Sequence, residues 1–76
     1  MKEKEKLERL YQQTLMSLEK NQQEKMVIQK NLSNPKIKAG DVHKLATALK
    51  HLAQTIDYEI KTLKNLAIVI QPAEDD

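Results

Sequence analysis

A chain of 76 residues without cysteine holds at most one domain and has no disulfide or thiolate metal site. A domain this small buries only about 60% of the surface its unfolded chain exposes, so its remaining supports are oligomerisation or close helix packing. Tyr11 and Tyr58 are the only aromatic residues and the formal net charge is +2; this leaves a core of Leu, Ile, Ala and Met, and the balance of charge by itself points to no partner.

Residues 2 to about 32 contain neither Gly nor Pro and are rich in Glu, Lys, Gln, Leu and Met, which predicts a first helix. Lys4 with Glu8, Glu5 with Arg9 and Lys20 with Glu24 are opposite charges one helical turn apart. At 100° per residue Leu7, Leu10, Tyr11, Leu15, Leu18, Met26, Ile28 and Leu32 share one side. Asn21, Gln22, Lys25 and Gln29 fall on that side too, so the apolar stripe is strong up to Leu18 and diluted beyond it. Two readings stand open: ordinary solvated amides at a rim, or a polar layer that fixes register inside a helical assembly. Met16 and Val27 lie on the opposite side, either as isolated surface residues or as a second packing face.

The segment "LSNPKIKAGD", Leu32 to Asp41, collects the only glycine, one of the two prolines, and two Asn or Asp residues. Proline disfavours helical geometry at the residue before it, so the first helix is expected to stop by Asn34. The turn is expected over residues 33–40, with Asp41 as N-cap of a second helix, its carboxylate accepting from backbone N–H groups two or three residues on. A connection of this length joins antiparallel neighbours.

The second helix is expected over about 41–67. Val42, Leu45, Leu49, Leu52, Ile56, Ile60, Leu63, Leu66, Ala67 and Ile70 form its apolar stripe, flanked by Ala46, Ala48 and Ala53. The spacing 45, 49, 52, 56, 60, 63, 67, 70 drifts between heptad and eleven-residue repeats, as in a nearly straight bundle helix. Lys50, Gln54, Asp57, Tyr58, Lys61 and Asn65 form the polar face. In "LAIVIQP" apolar residues occur on every side, and three β-branched residues run together. Either the helix enters an interface that buries all its sides, or the chain turns extended and pairs between subunits. The tail, residues 73–76, is acidic.

The second stripe offers more apolar surface than the diluted half of the first helix covers, and two helices enclose no core. The expected fold is therefore all-α: an antiparallel hairpin of two long helices that self-associates into a bundle or ring. Leu45, Leu49, Leu52, Ile56, Ile60, Leu63, Leu66 and Ile70 are its expected oligomerisation residues.

No chemistry is legible. His43 and His51 are eight residues apart on a polar face, too far along a helix to share a metal. Asp57 and Glu59 point in different directions, and there is no Gly-rich loop or nucleophile with its base. The expectation is a non-enzyme with no catalytic residues, cofactor, metal or small-molecule substrate. Between Lys25 and Lys50 six lysines stand against one acid, Asp41. Two readings fit: lysines that keep a loop solvated, or Lys30, Lys36, Lys38, Lys44 and Lys50 contacting nucleic-acid phosphates without sequence preference.

The long first helix, the connector "NPKIKAGDVHKLATAL" and the second amphipathic helix resemble the oligomerisation core of bacteriophage terminase small subunits, over roughly Leu15 to Ile70. The resemblance implies side-by-side packing of hairpins into a ring that meets double-stranded viral DNA and a large terminase subunit. In that family "LAIVIQP" corresponds to a β-segment after the core. Many members carry an N-terminal helix-turn-helix domain, whereas "MKEKEKLERL" leads directly into the first helix. The alternative is a small dimeric four-helix-bundle adaptor or regulator that binds a protein partner. A membrane-active helix fits less well because the charges are evenly mixed. No signal peptide or spanning segment is read, so the expected setting is soluble and cytoplasmic, in the host if phage-encoded.

Overall fold

A computed structural model describes residues 2–70. It contains helix α1, Lys2–Leu32, and helix α2, Ala39–Ile70, packed against each other as an antiparallel hairpin. The molecule measures 58 × 18 × 14 Å. A helix with its side chains is about 10–12 Å across, so the hairpin is two helices wide and one deep. This shape explains why no side chain among the described residues is fully buried.

The turn is built from local hydrogen bonds. Ser33 donates both its backbone N–H (3.1 Å) and its hydroxyl (2.9 Å) to the Gln29 carbonyl, closing the last turn of α1. Asn34 then organises the reversal: its side-chain oxygen accepts from the Lys36 N–H at 3.0 Å, and its carbonyl accepts from the Ile37 N–H at 3.2 Å. Pro35 occupies the second position of that turn, where its fixed φ is already correct.

The start of α2 differs from the sequence expectation. The Asp41 and Val42 N–H groups both donate to the Lys38 carbonyl at 3.0 Å, so the helix begins at Ala39 and Asp41 lies inside the first turn rather than capping it. Its carboxylate still complements the positive end of the helix dipole, by about 0.3–1 kcal/mol. Gly40, expected in the turn, is helical; its φ is negative and a methyl group there would meet nothing within 4 Å. A glycine at such a position costs the helix roughly 0.5–1 kcal/mol relative to alanine.

The far end also differs. α2 does not stop near residue 67 but continues through Ile68, Val69 and Ile70, so this part of the β-segment expectation is corrected. Its continuation into Gln71 and Pro72, with the acidic tail, lies outside the described residues. Among the described residues three apolar side chains are buried: Leu18, Ile56 and Leu66. No described helix is long and apolar enough to cross a membrane.

Candidate functional site

The seam between the helices follows a strict alternation of four and three residues. On α1 the covered positions Leu7, Tyr11, Thr14, Leu18, Asn21, Lys25, Ile28 and Leu32 follow it, and on α2 Leu45, Leu49, Leu52, Ile56, Glu59, Leu63, Leu66 and Ile70; Leu15 on α1 and Ala48, Ala53 and Thr62 on α2 are half-buried beside them. This is the heptad pattern of a coiled coil. It replaces the drifting series expected for α2 by a register that runs through 59 and 66. Ile60 and Ala67 move to the flank of the seam, half-buried. Met26, placed in the apolar stripe of α1 by the wheel, is 68% exposed instead, and Leu10 is 45% exposed.

The centre of the seam is polar. Glu59 is only 7% exposed, and both of its carboxyl oxygens are engaged from α1. The Ser17 hydroxyl donates to Oε2, and the Asn21 side-chain amide donates to Oε1 at 3.0 Å. Of the four polar residues that dilute the α1 stripe, Asn21 and Lys25 are half-buried within the hairpin, and Gln22 and Gln29 are exposed. A period of 3.6 residues favours Ile60 over Glu59, whereas continuing the four-three alternation from Leu52 and Ile56 reaches Glu59. The contact also fixes the register. Stepping outward at 1.5 Å per residue brings Leu7 level with Ile70 at the open end, and Leu32 level with Leu45 at the bend.

Of the expected oligomerisation residues, Ile56 and Leu66 are buried against α1, while Leu45, Leu49, Leu52, Ile60, Leu63 and Ile70 remain half-buried. Within one chain all but Ile60, which lies on the flank, form one wall of the hairpin seam. α1 leaves six of the eight incompletely covered.

The bend carries the basic residues. Lys36, Lys38 and Lys44 line one shallow cleft of about 450 Å³, together with Asn34, Asp41 and Leu45. Lys30 and Lys50 are exposed on their helices outside that cleft. The structure thus brings three of the five candidate phosphate-contacting lysines together. His43 and His51 are exposed. Among the described residues no group of three or more His, Cys, Asp or Glu is placed to hold a metal.

No family model, curated protein or solved structure matches the chain.

Proposed function

We propose that the chain is a non-enzymatic self-associating module, a helical hairpin whose function is to assemble copies of itself. The observation that carries this reading is unburied surface. The chain exposes 6,454 Å², whereas a compact monomer of 8.8 kDa exposes roughly 4,800 Å². The radius of gyration, 17.2 Å, likewise exceeds the roughly 11 Å of a compact chain of this length.

Thermal unfolding at rising protein concentration tests the reading. A self-associating hairpin is stabilised by mass action, so its midpoint rises over a hundredfold increase in concentration. A midpoint independent of concentration, with a helical signal at the lowest concentration, would argue for a folded monomer.

In its finer form the reading makes the chain the ring-forming core of a phage terminase small subunit, acting in viral DNA packaging with a large subunit. Its support is the connector resemblance together with the three lysines around one cleft. Repetition of that cleft around an assembly turns a few weak phosphate contacts into many. Duplex binding should then weaken steeply with salt and disappear when Lys36, Lys38 and Lys44 are all replaced by Glu. A fluorescence-anisotropy titration at two salt concentrations decides it; salt-insensitive binding, or none, removes the DNA arm and leaves self-association standing.

A further inference from the structure

α2 is apolar over a wider arc than α1 covers. Ala46, Ala53, Ile60 and Ala67 stand seven residues apart, each next in the chain to a residue of the seam series Leu45, Leu52, Glu59 and Leu66. At 100° per residue they line a second stripe beside the first. With Leu49, Ile56, Leu63 and Ile70, which the hairpin seam already uses, they make a second alternation of three and four residues. It has no polar member from Ala46 to Ile70, whereas the first alternation has Glu59 at its centre and α1 as its partner. Among the described residues no helix covers the second: Ala46 is exposed, and Ala53, Ile60 and Ala67 are half-buried. Val42, one turn before Ala46, extends the stripe and is 39% exposed. Alanine at three of its own four positions lets another helix approach closely.

Side-chain size and charge along this stripe indicate what fits it. An antiparallel copy of α2 crossing at Ala53 sets Ala46 against the second copy's Ile60, and Ile60 against the second copy's Ala46, small against large on both sides of the crossing. Ala53 then faces itself at a twofold axis. It lies near the midpoint of α2, Ala39–Ile70, so the two helices overlap along almost their whole length. The exposed residues Lys50, Asp57 and Lys64 border the stripe on its outer side. The same crossing brings Lys50 beside the second copy's Asp57, and Asp57 beside the second copy's Lys50; Lys64 meets His43 and gains no opposite charge. A parallel copy instead sets Ile60 against Ile60 and each border charge level with its own kind. It also puts two bends side by side, each with Lys36, Lys38 and Lys44, and like charges so placed repel.

We infer that the stripe of Ala46, Ala53, Ile60 and Ala67 is where α2 of a second copy packs, antiparallel, about a twofold axis at Ala53. This rests on self-association and adds its surface, its orientation and its closure. Two hairpins joined in this way form a closed pair of four helices with the basic bends at opposite ends. A ring, whose subunits share one direction, does not use this contact.

The chain has no cysteine, so single introduced cysteines report the pairing. Under mild oxidation Ala53→Cys should link to itself, because the axis brings the two positions within the Cα separation of a disulfide, about 4.4–6.8 Å. Ala46→Cys and Ile60→Cys should each fail to link alone and should link when the two variants are mixed. Gln54→Cys, on the exposed face of α2, controls for chance encounters. Charge exchange gives a second reading. Lys50→Asp and Asp57→Lys should each weaken association severalfold, and the two together should restore it. Residues seven apart lie about 10 Å apart along one helix, so the rescue reports contact between chains. Self-linking of Ala46→Cys would show parallel packing and overturn the orientation. Linking of Ala53→Cys to Met26→Cys, and not to itself, would put the second copy's α1 on the stripe and overturn the occupant. An oligomeric wild type in which none of these links forms would overturn the surface while sparing self-association. A wild type of single-chain mass would overturn both.

Discussion

Ile56→Asp should abolish the helical circular-dichroism signal at micromolar concentration. Ile56 is 6% exposed and faces α1 at the level of Asn21. Truncating a buried isoleucine costs about 2–5 kcal/mol. The aspartate adds the penalty of an unpaired charge in a covered position, several kcal/mol more. A chain of this length has a total stability of only about 4–11 kcal/mol at 0.05–0.15 kcal/mol per residue, so one substitution consumes most or all of it. The control is Met16→Asp, at a residue 69% exposed, where the change is limited to helix propensity, a few tenths of a kcal/mol. Urea titration of both variants against the wild type measures the contrast. A folded Ile56→Asp monomer with wild-type helicity would show that the seam does not hold the hairpin together.

The second prediction concerns the polar centre and has opposite signs for its two halves. Asn21→Leu removes one of the two donors to Glu59 and sets an apolar side chain against a covered carboxyl group. It should cost about 1–3 kcal/mol, the penalty of leaving a buried acceptor short of its partner. Glu59→Leu instead continues the seam between Ile56 and Leu63. It releases Ser17, which is exposed, and Asn21, which is half-buried, to water. Gain of apolar burial, about 1.5–3 kcal/mol for a leucine, together with relief of the desolvation cost of a covered carboxylate, offsets the two hydrogen bonds to it, at about 1.5–3 kcal/mol each. The variant should therefore be at least as stable as the wild type. What it loses is specificity: a polar residue at a seam position selects one register, and an all-apolar seam permits others. Its mass distribution should broaden while its unfolding midpoint stays level or rises. The double variant should recover the stability lost in Asn21→Leu alone, a coupling that separated sites do not show. A Glu59→Leu chain that is both less stable and single in mass would mean that the carboxyl group contributes net stability rather than register.

Much of this hairpin is written locally. The end of α1 follows from Asn34 before Pro35, and the polar face of α2 from Lys50, Gln54, Asp57, Tyr58, Lys61 and Asn65, all exposed. The start of α2 is not legible locally, because Asp is a better cap than Lys and Gly usually punctuates helices. Here the Lys38 carbonyl accepts the first bonds and Gly40 is carried inside the helix. Glu59 was hidden for a different reason. An average period of 3.6 residues favours Ile60, and only a partner helix supplying Ser17 and Asn21 makes burial of a glutamate tolerable. Propensity cannot reveal that, since it concerns the other helix. The same holds for Ile68 and Val69: β-branching suggested a strand, but the ladder of α2 carries them as helix and leaves them facing solvent.

If hairpins self-associate as proposed, absolute mass by light scattering on a sizing column, at two salt concentrations, should be at least that of two chains and persist at high salt; six or more chains would favour the ring form, and two the four-helix bundle. A compact species of single-chain mass at every concentration would contradict it, and would mean that α1 alone satisfies the apolar wall of α2.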